Sequence, residues 1–567
     1  MDNWVLKTED LLIQFMHDGK YHTAVNRIGY SVRRGRTLGI VGESGSGKSV
    51  SSLSIMGLLP QPPHCKVEGK VYFRPKPDQP PVDMLSLPEE ALRQYRGRHV
   101  SIIFQEPMTS LNPVQKCGQQ VAEMLRQHEP LHGKAARQRV LDLFEEVRLP
   151  RPEKIFDSYP HEISGGQKQR VMIAMARICH PALLIADEPT TALDVTVQKT
   201  ILELLRSLQK KYDIGIIFIT HDLGIVSEIS DDVAVMYKGG IVEQGPTESV
   251  LRHPQHPYTQ GLLACRPPLD RRPKRLPTVK EFLEGNMQPI PEERQEFVPS
   301  NPREPLISVR HLTVSYPLKK NLFGKAVETL NAVDDFSFDL YRGETLGLVG
   351  ESGCGKSTLG RTLLQLLKHD SGTISYNGQS LDSLTRQEQQ WLRRKIQIIF
   401  QDPYSSLNPR ITIGNAICEP LTYHRIHSSQ SQRRDHAVRL MQQVGLSPEW
   451  FFRYPHELSG GQRQRVCIAR SLVLEPEVVI CDESVSALDV SVQAQVLNLL
   501  NDLKEQHGYT YLFITHDLSV VKFLADRIMV MERGRLIEMG ASHQVFDSPQ
   551  QEYTRRLISA IPGNRNH

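Results

Sequence analysis

Short, unbroken apolar runs that end in polar or charged residues are the dominant pattern along the chain. Thr37-Leu38-Gly39-Ile40-Val41 leads into a glycine-rich loop, Leu183-Leu184-Ile185-Ala186 ends in Asp187-Glu188, and Ile216-Ile217-Phe218-Ile219 is followed by Thr220-His221. Runs that are apolar at successive rather than alternate positions predict parallel strands buried on both faces. Helix-favouring stretches lie between them, such as Arg170-Val171-Met172-Ile173-Ala174-Met175-Ala176-Arg177. Strands alternating with helices predict an α/β fold. A run of about 18 apolar residues, the length needed to cross a bilayer, occurs nowhere.

This pattern is written twice. Gly42-Glu43-Ser44-Gly45-Ser46-Gly47-Lys48-Ser49-Val50 recurs as Gly350-Glu351-Ser352-Gly353-Cys354-Gly355-Lys356-Ser357-Thr358, and Ser164-Gly165-Gly166-Gln167 as Ser459-Gly460-Gly461-Gln462. Asp187-Glu188 recurs as Asp482-Glu483, and His221 as His516. The later motifs repeat at 295 residues (459 − 164, 482 − 187, 516 − 221) but the loop lysines at 308 (356 − 48). The first half therefore carries an insertion, and the proline-rich stretch 61–89 is the expected place for it, since a surface loop tolerates added length. Weak apolar periodicity and many Pro, Arg and Glu residues mark 266–305 as a linker between a first domain, 1–265, and a second, 306–567. A solvated, extended linker is expected there, with one short helical turn near Glu281-Phe282-Leu283. Its basic stretch, Arg266 to Arg275, is a candidate contact for anionic lipid or a partner.

Composition changes this picture little. At 567 residues more than one core is expected, and 39% hydrophobic with 23% charged residues is ordinary for a globular protein. A formal net charge of +4 gives no electrostatic case for nucleic acid as the main partner. Eight scattered cysteines without a C-x-x-C pair argue against structural zinc and against a disulfide framework, as in a reducing cytoplasm. The first residues, Met1 to Lys7, lack the layout of a signal peptide.

The candidate chemistry is phosphate chemistry. In a G-x-x-x-x-G-K-S loop between a strand and a helix, glycines let backbone N–H groups converge on phosphate oxygens, and the helix start adds positive potential. Lys48 and Lys356 are candidates for the β- and γ-phosphates, and Ser49 and Ser357 for Mg²⁺. At the carboxyl end of a buried strand, Asp187 or Asp482 can serve the metal and Glu188 or Glu483 can polarise an attacking water. A lone Gln or His after a strand says little. Gln105 and Gln401, and likewise His221 and His516, recur in shared contexts, which points to roles at the metal and the γ-phosphate. Ser164 and Ser459, with the glycines beside them, form two further anion-binding helix starts.

Taken in order, the glycine-rich loop, Gln, S-G-G-Q, apolar-Asp-Glu, Ala-Leu-Asp and His resemble the ATP-binding cassette family over both halves. The resemblance implies an ATPase using ATP and Mg²⁺, with two tandem P-loop cassettes, each having a RecA-like core, an antiparallel β subdomain and a helical subdomain near 110–160 and 406–456. It also implies composite sites, in which the S-G-G-Q of one half closes over ATP held by the other, and a cross-talk role for Asp194 and Asp489. Gln105 to Pro113, Gln401 to Pro409, the Tyr-Pro-His-Glu stretches at 159 and 454, and His256-Pro257-Tyr258-Thr259 are similar to the ATPases of bacterial dipeptide, oligopeptide and glutathione importers, as a fused D-type and F-type pair. That implies two permease subunits, a solute-binding protein, one copy of this chain per transporter, and a place at the cytoplasmic face of the cell membrane.

Departures from the family pattern are Val50 where the second half has Thr358, and Ser484 where the first half has Pro189, expected to alter the local turn. With Cys265 the only cysteine just after the first cassette and none after Cys481, the iron–sulfur cluster of some relatives is not expected. Phe15 and Tyr316 are candidates to stack on adenine, with strand packing an equal alternative. A rival assignment, a ribosome-acting ATPase of the ABC-F type, calls for a long charged helical connector, which the proline-rich linker does not provide. A DNA-repair cassette would need zinc-binding cysteine pairs.

Overall fold

The computed structural model describes residues 3–105, 110–191, 193–286, 293–294, 296–298, 304–320, 326–486 and 488–562. Glu106 to Thr109 and the alanines of both Ala-Leu-Asp motifs lie outside the described residues. The chain divides into two compact units, Met1–Leu263 with Val279–Asn286, and Ala264–Thr278 with Met287–His567.

In the first unit, strands β1 (Trp4–His17), β2 (Lys20–Arg33), β4 (Cys65–Phe73) and β5 (Val82–Asp83) form an antiparallel sheet in the order β2-β1-β4-β5. The apolar runs form a second sheet from β3 (Thr37–Val41), β6 (Val100–Ile103), β7 (Leu183–Asp187), β8 (Gly215–Thr220), β9 (Asp232–Tyr237) and β10 (Gly240–Pro246), ordered β10-β9-β3-β8-β7-β6. All its pairings are parallel except β10 with β9. Because side chains alternate along a strand, each run feeds two cores. Leu183, Ile185, Ile217 and Ile219 pack with the antiparallel sheet. Leu184, Ala186, Ile216 and Phe218 pack with helices on the other face. Those helices include Cys117–His128 and Gly133–Glu146, which lie in the expected helical region and bury Cys117, Val121, Leu125, Val140 and Phe144 at helical spacing.

The second unit repeats the plan with β11 (Ile307–Lys320), β12 (Ala326–Leu340), β13 (Thr345–Val349), β14 (Ser371–Tyr376), β15 (Gln379–Ser380), β16 (Ile396–Ile399), β17 (Val478–Asp482), β18 (Thr510–Ile514), β19 (Arg527–Glu532) and β20 (Arg535–Ala541). Its sheets run β12-β11-β14-β15 and β16-β17-β18-β13-β19-β20. Much of the extra length of the first half sits in one hairpin: residues 74–81 join β4 to β5, whereas Asn377 and Gly378 alone join β14 to β15.

Residues 264–278 do not form a solvated, extended tether. They belong to the second unit, and a helix at Val279–Leu283, where a helical turn is expected, belongs to the first. Asn498 takes both backbone groups of Leu276, accepting from its N–H at 2.9 Å and donating to its carbonyl at 2.8 Å. Arg272 of the basic stretch lies 2.9 Å from Asp526 Oδ1, while Lys504 Nζ lies 2.9 Å from Asp526 Oδ2, which also accepts from Thr345 N–H at 2.9 Å. In the first unit the corresponding Asp231 accepts from Thr37 N–H at 2.8 Å, and neutral Gln209 stands where the second unit has Lys504. A carboxylate this buried needs paired cations. Burial alone would raise Asp526, but Lys504 and Arg272 outweigh it and hold the carboxyl below its ordinary 3.8.

A depressed carboxyl contributes stability that is complete above the unfolded value and disappears as pH falls through the folded one. Asp526→Asn is therefore expected to destabilise the second unit by about 3 kcal/mol at neutral pH. Denaturant unfolding at a series of pH values should show the gap between wild type and variant closing only below 3.8. Arg272→Ala, which leaves Lys504 in place, should cost about 1–3 kcal/mol.

Candidate functional site

Each phosphate loop leaves the carboxyl end of a strand buried on both faces and opens a helix, Lys48–Ile55 or Lys356–Leu363. The loop winds back on itself through left-handed glycines, Gly45 and Gly47 at φ 80° and 98°, Gly353 and Gly355 at 79° and 112°. A Cβ on Gly47 would lie 2.6 Å from the Ala24 carbonyl oxygen, so glycine is required there by both conformation and space. Lys48 is buried, and its Nζ donates to the carbonyls of Gly42 and Glu43 at 2.7 and 2.9 Å. Lys356 repeats this at 2.8 and 2.9 Å on Gly350 and Glu351. Val50 packs partly against the core, leaving its backbone N–H as the group it offers at that loop position.

Beside each loop stand the acids. Ser49 Oγ donates to Asp187 Oδ1 at 2.9 Å, and Ser357 Oγ to Asp482 Oδ1 at 2.8 Å. Gln105 Nε2 donates to Glu188 Oε2 at 2.9 Å, which leaves the amide oxygen of Gln105 able to meet a cation; Gln401 does the same to Glu483 at 2.8 Å. His221 Nδ1 lies 3.4 Å from Glu188 and His516 Nδ1 3.3 Å from Glu483. Glu188 and Glu483 share a left-handed backbone, φ 45° and 47°, unusual for a non-glycine residue and typical of strained functional positions. Their N–H groups bond the neighbouring strand at Ile219 and Ile514, 3.0 and 2.8 Å. That bond sets the turn, and proline takes no part in it. Ser484 in place of Pro189 consequently leaves the turn unchanged, contrary to expectation.

Electrostatically the two acids are driven apart. Burial pushes the Asp187 carboxyl up to about 6, the mark of a carboxylate that a cation would relieve. Burial would also raise Glu188, but His221, the Thr191 hydroxyl and Lys48 outweigh it and hold it down at about 2. Asp482 is raised and Glu483 lowered in the same sense. An all-oxygen set of Ser, Asp and Gln suits Mg²⁺, and a loop of inward N–H groups with a buried lysine suits a nucleoside triphosphate. Ser46 Oγ, packed under that loop, has no hydrogen-bond partner among the described residues, and the second loop has Cys354 at the same place.

Ser164 caps the helix Gly165–Arg177 in a reciprocal box: Gln167 N–H donates to Ser164 Oγ at 3.3 Å, and Ser164 N–H to Gln167 Oε1 at 3.0 Å. Ser459 and Gln462 repeat it at 3.4 and 2.9 Å. The glutamine carbonyl is thus used within the motif, while the serine accepts and keeps its own proton to donate. A Cβ on Gly166 would lie 2.6 Å from Val197, and one on Gly461 would collide with Val492, so close packing demands the second glycine of each motif. The first glycines, Gly165 and Gly460, meet no such crowding. Of the adenine candidates, Phe15 is half-buried against the core, whereas Tyr316 is 40% exposed.

Thr191 lies outside every sequence motif. Its hydroxyl donates to Glu188 Oε2 at 2.9 Å, whereas Ser486, at the equivalent place, donates to the Glu483 backbone carbonyl at 2.9 Å. Its only signal in the sequence is its place three residues beyond the acid. Tyr258 and Tyr553 likewise go unmarked as site residues by sequence reasoning, yet their hydroxyls accept from Glu43 and Glu351 N–H at 3.1 and 3.2 Å.

Glycine-rich loop, paired acids, glutamine and histidine at the edge of a parallel sheet define a P-loop ATPase, here with two such cassettes in one chain. The family model described as ABC transporter matches residues 25–191 and 333–486, and that described as oligopeptide/dipeptide transporter, C-terminal region, matches 242–291 and 537–567. The chain is 48% identical to the glutathione import ATP-binding protein GsiA of Pectobacterium atrosepticum over 560 residues, covering 98% of this chain and 89% of that protein. It is likewise 48% identical to the protein of that name from Escherichia coli K12 over 566 residues, with the same coverage. The chain belongs to the ABC transporter family of ATP-binding proteins. It binds and hydrolyses ATP as the energy-coupling subunit of an ABC importer, works with membrane permease partners and associates peripherally with the membrane. Among the described residues no helix is long and apolar enough to cross a membrane itself. The ribosome-acting alternative is not favoured.

Glu188→Gln and Glu483→Gln are each expected to lower steady-state ATP turnover, and together to lower it about 10²-fold or more while nucleotide binding persists. Phosphate release and equilibrium ATP binding measured on the same variants test this. A single variant with wild-type turnover would mark its site as regulatory.

Proposed function

We propose that one copy of this chain hydrolyses two Mg·ATP to drive import of a small peptide-like solute, with glutathione as the first candidate. The solute would be delivered by a binding protein and carried through two permease subunits, with this chain at the cytoplasmic face of the bacterial cell membrane. The observation that carries the proposal is the 48% identity, over 98% of the chain, to proteins named for glutathione import, together with the oligopeptide/dipeptide C-terminal region present in both halves.

Mg²⁺, held in each site, would supply positive charge to offset that of the triphosphate. The residues of the chain do the rest. Lys48 and Lys356, with the N–H groups of 44–50 and 352–358, hold the phosphates. Ser49, Asp187 and Gln105 hold the metal in the first site, and Ser357, Asp482 and Gln401 in the second. Glu188 and Glu483, kept ionised, accept a proton from an attacking water, and His221 and His516 orient that carboxylate and face the γ-phosphate. Ser164 and Ser459 offer hydroxyl and helix-start N–H groups to further phosphate charge.

Co-expression with candidate permease subunits and a binding protein from the same organism, followed by membrane solubilisation, is expected to recover a complex containing this chain. Reconstituted in vesicles, that complex should accumulate labelled glutathione only with ATP. A complex that forms but moves dipeptides and ignores glutathione would correct the solute; a chain never recovered with permease subunits would end the proposal.

A further inference from the structure

The tail of each cassette reaches back to its own phosphate loop. Tyr258 lies on the helix Pro257–Ala264 and Tyr553 on Glu552–Ser559, 295 residues apart (553 − 258), the spacing of the catalytic motifs themselves. Both fall within the residues matched by the C-terminal region model. Both are buried, Tyr258 completely and Tyr553 to 6% exposure. Each hydroxyl accepts the N–H of the second loop residue, Glu43 or Glu351.

That N–H belongs to the same peptide plane as the carbonyl of Gly42 or Gly350, which accepts from the loop lysine at 2.7 or 2.8 Å. Because the peptide unit is rigid and planar, its two polar ends turn together. Tyrosine hydroxyl and lysine ammonium therefore hold one plate from opposite sides. The surroundings of the rings differ. Tyr237 lies against Tyr258 with ring centroids 4.2 Å apart, whereas Arg556 lies 5.7 Å over the Tyr553 ring and 4.0 Å from Glu532. The hydroxyl-to-loop hydrogen bond is what the two halves share. Glycine is needed at the loop's first position for a related reason: a Cβ on Gly42 or Gly350 would collide with the carbonyl of Met236 or Met531 in the adjacent strand, so the plate is tightly confined.

We propose that Tyr258 and Tyr553 are positioning residues of the two ATP sites: each tail hydroxyl orients one phosphate-loop peptide and, through it, the ammonium of Lys48 or Lys356. The proposal rests on the phosphate loops being the ATP sites. It gives the C-terminal region of each cassette a direct hold on nucleotide affinity. Phenylalanine keeps the ring and its packing but removes the acceptor, leaving a partly buried N–H without it.

The test measures equilibrium binding of magnesium and a fluorescent ATP analogue to the full chain, in a Lys356→Ala background that isolates the first site and a Lys48→Ala background that isolates the second. Tyr258→Phe should weaken binding roughly 3- to 10-fold in the first background, the value of one partly buried hydrogen bond, and leave the second unchanged. Tyr553→Phe should do the reverse. Wild-type affinity in both backgrounds, or equal weakening in both, would overturn the positioning role, the latter indicating general loosening of the fold. Wild-type binding by a Lys48→Ala/Lys356→Ala chain would instead overturn the assignment of the loops and the proposal with it.

Discussion

In each cassette the central parallel sheet is sealed on both faces, by an antiparallel sheet and by helices, so charged side chains are confined to the ends of its strands. Strands β3, β7 and β8 run in the same direction, and the residues at their carboxyl ends emerge at one edge. Phosphate loop, acid pair and histidine meet there because the interior has no room for them. That constraint concentrates four ionisable groups in a small volume, and the same low polarity that confines them makes their interactions strong. Asp187 is raised and Glu188 lowered although the two are neighbours in sequence, because burial dominates at Asp187 despite its bond from Ser49, while His221, the Thr191 hydroxyl and Lys48 outweigh burial at Glu188.

The two cassettes solve the same problem with different side chains. Thr191 adds a donor to the Glu188 carboxylate that Ser486 withholds from Glu483, and Ser46 in one loop is Cys354 in the other. Around the aspartate that precedes β9 or β19, half-exposed as Asp231 and buried as Asp526, the divergence is larger. The first cassette uses neutral Gln209 with a distant Arg36, 4.0 Å from Asp231, while the second uses Lys504 of its own helix together with Arg272 from the segment that joins the halves. The helix Val490–His507 accordingly buries Asn498 to grip that segment, where the matching position of the first cassette is the exposed Glu203. A joined pair of unlike subunits accounts for this better than two copies of one unit.

Much of the fold was legible in the chain because burial on both faces writes itself as an unbroken apolar run, and because the runs recur at a constant spacing. The site was legible for the same reason: phosphate loops need glycines at fixed positions, and an acid pair must come after a buried strand to reach the edge. Phe15 and Tyr316 could not be told apart from strand residues by sequence, since a half-buried aromatic on a β-strand has the same pattern whether it stacks on a base or on its neighbours. The insertion was sensed from the spacing, but the pattern does not say that it lengthens one hairpin.

What the sequence determined by itself is the set of groups that chemistry demands locally: loop, lysine, acids, glutamine, histidine and capped signature helices, in two copies. What only the tertiary structure decided is which distant groups complete them. Tyr258 reaches Glu43, Thr191 turns to Glu188, and Arg272 finds Asp526 through hydrogen bonds that have no periodicity and no motif. A hydrogen bond specifies a distance and a direction between two atoms, and those exist only once the strands between them have been folded into place.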